Sequence, residues 1–133
     1  SGALFPFRNA TTEETDFAGI GSVLVTYWQA VKDTFPEAWG KPPSKSRLMH
    51  GAGIRAMGRL MDRIMGWHRP AEGDPTAYVM RELARVAPIC RWTSGHWSEL
   101  GLNWNEIQNV SRHIRVLTNV LVRNYVHQRG AEP

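Results

Sequence analysis

Along four stretches of this chain, apolar side chains recur every three or four positions, the spacing of a helix with one buried side. The clearest stretch is the last, from Asn103 to Gln128. There Trp104, Ile107, Val110, Ile114, Leu117, Leu121, Val122 and Tyr125 follow one face, while Arg112, Arg115, Asn119 and Arg123 follow another. The first predicted helix runs from about Glu13 to Thr34, with Phe17, Ile20, Leu24, Tyr27, Trp28 and Val31 inward. Thr11 or Thr12 caps it, and Glu13 and Glu14 suit its positive end. Pro36, Pro42 and Pro43 stop it, and Phe35 and Trp39 pin the connection to the core. The second helix starts at Ser44 or Ser46 and reaches Trp67, with Leu48, Ala52, Met57, Leu60, Met61 and Ile64 as its apolar stripe. Asp74 before Pro75 is a helix-start signal. It opens a third helix that ends near Ala87, with Tyr78, Leu83 and Val86 inward, and Pro88 terminates it.

The pattern predicts an all-α fold, an irregular bundle of about four main helices with a Trp-rich loop before the last. Residues 1–12 read as a flexible lead-in and 13–133 as one helical domain. No alternating stretch suggests a strand, since VLV at Val23 and again at Val120 sits within helical periodicity. Gly51, Gly53 and Gly58 weaken the second helix by roughly 1 kcal/mol each and so require a reason. Close approach of another helix is one reason, and a backbone-lined anion site is the other. The chain begins with Ser rather than Met, which suggests a cut or processed piece of a longer protein.

At 133 residues, with 42% hydrophobic and 21% charged positions, the chain can bury a core and is not a disordered segment. Six tryptophans supply much of the burial. No stretch reaches the ~18 apolar residues that span a bilayer, and no secretory signal is present. The expectation is therefore no membrane partner. With a single cysteine, Cys90 in apolar APICRW, no internal disulfide or cysteine zinc site can form. A reducing, cytoplasmic setting and a buried structural thiol follow.

Catalytic signatures are missing. His50, His68, His96, His113 and His127 are scattered without metal-ligand spacing, GxSxG is absent, and Ser94-Gly95-His96 reads as a turn. Glu82, Glu99 and Glu106 read as solvated or paired with arginines. No catalytic residue, metal or cofactor is assigned. The formal charge of +4, mostly from arginine, permits a polyanionic partner. Arg55, Arg59 and Arg63 lie four apart on the second helix, and Arg112, Arg115 and Arg123 lie on the last. With Arg47, and Lys41 and Lys45 as an extension, they are the candidate phosphate contacts. Trp92 and Trp97, near Arg91 and His96, are candidates for stacking on bases.

Two segments carry a resemblance. YWQAVKDTFPEAWGKPPSKSRLMHGAGIRAMGRLMD, from Tyr27 to Asp62, resembles the C-terminal part of DGQHR-domain proteins, which include the DndB-type regulators associated with DNA phosphorothioation. IQNVSRHIRVL, from Ile107 to Leu117, together with the aromatic loop before it, is similar to that family's last helix. The DGQHR string itself does not occur in this chain. The resemblance implies a C-terminal helical part of a DNA-associated prokaryotic or phage protein, and no catalytic residue.

The expected function is accordingly a non-enzymatic accessory or regulatory module of a DNA-modification or defence protein, contacting nucleic acid through its arginine faces. One alternative is a protein-interaction or oligomerisation module using Met49, Met57, Met61 and Met65 and the tryptophans. Another is part of an enzyme whose active site lies elsewhere, in which His50, Arg55 and His96 are the groups to watch.

Overall fold

The computed structural model describes residues 13–68 and 73–131, with side chains from residue 19 onward. The predicted lead-in, its Thr11/Thr12 cap and the place of Phe17 lie outside the described side chains. Four helices form the body: α1 (Glu13–Thr34), α2 (Gly51–Gly66), α3 (Pro75–Val86) and α4 (Ser111–Ala131). Short 3-10 turns stand at Arg47–Met49, Ala87–Ile89 and Trp104–Glu106. The fold is all-α.

α2 and α4 lie against each other, α1 packs on α3, and α3 also packs on α4. The core between them holds Tyr27, Val31, Leu48, Met57, Leu60, Ile64, Tyr78, Leu83, Leu117, Leu121 and Tyr125. Its large polar-tipped rings find acceptors inside the bundle. The Tyr27 hydroxyl donates to the Met57 carbonyl at 2.6 Å, and that of Tyr78 to the Ile64 carbonyl at 2.7 Å. Each bond takes up a carbonyl on α2, so the tyrosines fix where α1 and α3 cross it. Met57 and Met61 are core residues and Met49 and Met65 are half-buried against them, so the methionine stripe is spent on packing.

Two boundaries and one small element differ from the periodic reading. α2 starts at Gly51, later than Ser44 or Ser46, because His50 caps it: the His50 Nδ1 accepts from the Ala52 N–H at 3.3 Å. Burial and the neighbouring Arg47 lower the His50 pKa, which keeps the ring neutral and able to accept. The segment before it folds back as the 3-10 turn at Arg47–Met49. The last helix starts at Ser111 rather than Asn103. Trp104 and Ile107 keep helical spacing, yet they belong to a separate short turn opened by Asn103, whose N–H donates to the Glu106 Oε1 at 2.7 Å, and ended at Ile107 in extended conformation. Finally, a hairpin of two residues per strand, β1 (His96–Trp97) and β2 (Leu102–Asn103), crosses the aromatic loop, turning at Gly101 with φ +66. Two-residue strands are too short to carry an alternating pattern, so none could be read.

The α2 glycines divide by what surrounds them. A Cβ on Gly53 would collide with the Arg47 carbonyl and come within 2.9 Å of its carbon, both backbone atoms, whereas one on Gly58 would meet nothing within 4 Å. Gly53 is therefore the close-approach site, and Gly58 carries the helix cost without such a return. Gly58→Ala is expected to raise stability by up to about 1 kcal/mol. Gly53→Ala is expected to lower it by about 2–3 kcal/mol. Thermal or urea unfolding of both variants checks the pair; equal effects would contradict this placement.

Candidate nucleic-acid interface

Gly51, Arg55, Arg59, Arg63 and Trp67 are each four residues apart and so form one row along α2, rising about 6 Å per step. Contacts at both ends of the row show that it borders α4. At one end Asn109, just before α4, touches the Gly51 position, and its Oδ1 accepts from Arg55 Nη1 at 2.6 Å. At the other, the Trp67 ring lies 5.9 Å from that of Tyr125, and the Arg129 guanidinium sits 4.9 Å over the same indole. Arg55, Arg59 and Arg63 are exposed while Ala56, Leu60 and Ile64 beside them are buried. The three arginines thus edge the α2–α4 seam over about 12 Å.

α4 adds to this edge from its own side. Arg115 is exposed and lies two seven-residue steps from Arg129, which faces α2 through Trp67; it stays within about 40° of that direction around the helix. Arg112, exposed in the first turn, lies eleven residues from Arg123 and so within about 20° of it around the helix, on that side rather than toward α2. Arg123 is turned elsewhere: it pairs with Glu99 at 3.1 Å, beside the hairpin. Asn124 and Arg123 both bond the Glu99 carboxylate and hold its pKa below the usual range. Arg123 therefore does not join the others.

The seam is poor in acid. α4 contains no Asp or Glu, and α2 contains one acid, Asp62. Neither helix has an acid in its first turn, although an amino-terminal carboxylate is the usual partner of the helix dipole. The two amino ends meet at Asn109. Their backbone dipoles add to the guanidinium charges there and leave a field suited to an anion.

Three more sequence candidates, Arg47, Trp92 and Trp97, lie away from the seam. Arg47 is 9% exposed, and its Nε, Nη1 and Nη2 donate to the carbonyls of Ile107, Pro43 and Asn105 at 2.9, 2.7 and 2.7 Å. Its guanidinium also lies 5.8 Å over the Trp104 ring. This arginine ties the Pro42–Arg47 loop to the approach to α4, and its guanidinium is buried with each nitrogen already donating to a carbonyl, so it is not placed on the seam. Trp92 and Trp97 are 4% and 2% exposed and stack edge-on against each other, with Phe35 against Trp92. Rings so enclosed cannot stack on a base. Lys41 and Lys45 are exposed on the loop held by Arg47.

The enzyme-fragment groups serve separate local roles: His50 caps α2, Arg55 bonds Asn109, and the His96 Nδ1 meets the Asn103 Oδ1 at 2.8 Å. Cys90 bonds the Val86 carbonyl through Sγ at 3.4 Å, and burial pushes its thiol pKa far up, so it has no thiolate to offer. Among the described residues no group of three or more His, Cys, Asp or Glu could hold a metal ion. Nor is any described helix long and apolar enough to cross a membrane.

Of the two readings of Glu82, solvated or paired with arginines, the structure decides for pairing. Glu82, 2% exposed, accepts from the Tyr125 hydroxyl at 2.7 Å and pairs with Arg85 at 2.6 Å and with Arg129. It joins α3 to α4 and draws Arg129 inward. Periodicity does place Glu82 beside Leu83 on the buried side of α3, but an acid there gives no hint of which arginines enclose it.

Comparison with known proteins gives a partial likeness. The chain is 35% identical over 83 residues to an isoleucine–tRNA ligase of Methanoregula boonei and 30% identical over 83 residues to that of Methanoculleus marisnigri. The matched segment is 62% of this chain but 7% and 8% of those relatives. The chain thus spans a small fraction of the curated proteins it is similar to. No family model matches, and no solved structure matches.

Proposed function

We propose that this domain is a non-enzymatic module that holds tRNA by its phosphate backbone, through the arginine border of α2 and α4. The observation that carries the reading is the acid-poor row of Arg55, Arg59 and Arg63 beside Arg115, which begins where two helix amino ends adjoin and runs to the last turn of α2. Guanidinium groups spaced along a rigid helix edge suit successive phosphates. The buried state of Trp92 and Trp97 argues for contact with the backbone rather than base stacking. Among polyanions, tRNA is favoured because the similar proteins are named as ligases of isoleucine to tRNA.

The test is titration of fluorescently labelled tRNA at several salt concentrations, with wild type and with Arg55, Arg59 and Arg63 all changed to Gln. Binding should weaken with salt, and the triple variant should lower the log–log slope by about 2–3. No wild-type binding at about 50 mM salt would sink the reading. Tighter binding of duplex DNA of equal charge would favour the accessory role in DNA modification that the resemblance to DGQHR-domain proteins implies.

A further inference from the structure

A cavity of about 490 Å³ opens where the end of α1 meets the loop after α3. Small-molecule sites typically enclose about 300–1,000 Å³. One wall is residues 34–38, and the other is residues 90–94 with Ala87. Phe35, Pro36, Ala38 and Trp92 supply the apolar lining. Two charged side chains line it as well, Glu37 on one wall and Arg91 on the other.

Arg91 is held in place with one side of its head uncommitted. Its Nη1 donates to the carbonyls of Pro88 and Cys90, both at 2.8 Å. Its stem lies over Gly95, where a Cβ would come within 2.8 Å of Cδ and 3.3 Å of Nε. Nε and Nη2 form the remaining edge of the guanidinium and have no acceptor among the described residues. Glu37 is exposed and has no hydrogen bond or ion pair among the described residues. The two opposite charges thus share one cavity and still stand more than 4.0 Å apart.

From this geometry we infer that the cavity binds a free α-amino acid with an apolar side chain, its carboxylate on Arg91 and its ammonium on Glu37. Such a molecule carries both charges on one carbon, so a single small ligand bridges the gap that separates the two residues. The open Nε–Nη2 edge receives a carboxylate through two parallel bonds. On the facing wall α1 ends at Thr34, and the negative pole of its dipole adds to Glu37 in attracting an ammonium. Phe35, half-buried, and its apolar neighbours meet the ligand side chain. A phosphate would satisfy Arg91 alone and face Glu37 as a like charge. No residue of this cavity lies on the arginine seam, so the inference is independent of the tRNA reading.

The experiment titrates the ¹⁵N-labelled 133-residue chain with L-phenylalanine and with L-leucine. Two blocked forms serve as comparisons: N-acetyl-L-phenylalanine lacks the ammonium, and L-phenylalanine amide lacks the carboxylate. The free amino acids should shift amide signals around Glu37 and Arg91 saturably, with Kd of about 1 mM or tighter. Each blocked form should bind about 10-fold more weakly. Glu37→Gln should weaken L-phenylalanine by about 10-fold and leave N-acetyl-L-phenylalanine unchanged. A merely structural role for Glu37 would not give that split. The variant should keep the wild-type melting temperature, since Glu37 is exposed and bonds nothing in the fold. Arg91→Lys should weaken L-phenylalanine and leave its amide unchanged; if the loss of the Pro88 and Cys90 bonds lowers its melting temperature, the Glu37→Gln split decides alone. No saturable shift by either amino acid at about 10 mM, equal binding of free and blocked forms, or an unchanged L-phenylalanine affinity in Glu37→Gln would each overturn the inference.

Discussion

Arg47→Ala is expected to cost about 3–5 kcal/mol of stability, in spite of removing a residue whose type and neighbours mark it as a surface cation. Its guanidinium satisfies the carbonyls of Pro43, Asn105 and Ile107, two of them across about sixty residues of chain. Hydrogen bonds from a charged donor are worth about 1.5–3 kcal/mol each, and they are not additive when one side chain makes all three. The lower figure applies if water reaches the carbonyls near the surface. The upper one applies if the Trp104–Ile107 turn loosens with them. Arg47→Lys should recover little, because one ammonium cannot reach three carbonyls held in a fork. For a domain of this size the alanine variant should melt roughly 10–20 °C below wild type. A shift of under about 3 °C in both variants would show that the loop and the turn are held by other means.

Trp92→Ala is the second large effect, with an expected loss of about 3–5 kcal/mol. The ring is 4% exposed, with the Trp97 centroid 5.3 Å away at 71° and that of Phe35 6.1 Å away at 85°. Its own carbonyl accepts from the Arg47 N–H at 2.9 Å, so the two residues anchor the same corner. Removing the indole leaves a void bounded by two large rings that cannot close over it without leaving their edge-on geometry. Trp92→Phe should retain most of the stability, because an aromatic edge still meets both neighbours. It should also leave tRNA affinity unchanged. A phenylalanine variant that folds normally yet loses tRNA would restore the tryptophan as a stacking residue; chemical denaturation beside the same labelled titration separates the two cases. Because Arg47 and Trp92 touch, their alanine variants should be non-additive, unlike either one with Gly58→Ala.

How much of this was legible in the chain follows from the kind of signal each feature leaves. The number, type and order of the helices came through because a buried helix face repeats every three or four residues regardless of what it packs against. Asp74-Pro75 marked the start of α3 to the residue, since a cap and an N1 proline act within one turn. The start of α4 was misread because Trp104 and Ile107 hold helical spacing while belonging to a separate turn, and burial alone does not distinguish the two. Arginine was the least legible residue. Arg47, Arg55, Arg123 and Arg129 look alike in sequence, yet the first closes a loop, the second edges an open seam, the third pairs with Glu99 and the fourth lies over Trp67 beside Glu82.

The chain by itself determined an all-α fold, its four helical stretches, and two helices rich in arginine and nearly free of acid. Those properties are local, written in periodicity, capping and composition. Tertiary structure alone decided which cations share a surface, which tryptophans are core, and which arginines enclose Glu82 between α3 and α4. Each of these depends on how one helix is rotated and placed against another. That placement is set by packing and hydrogen bonds between residues far apart in the chain, such as Tyr27 with Met57 and Glu82 with Tyr125, and no repeat along a single helix encodes it.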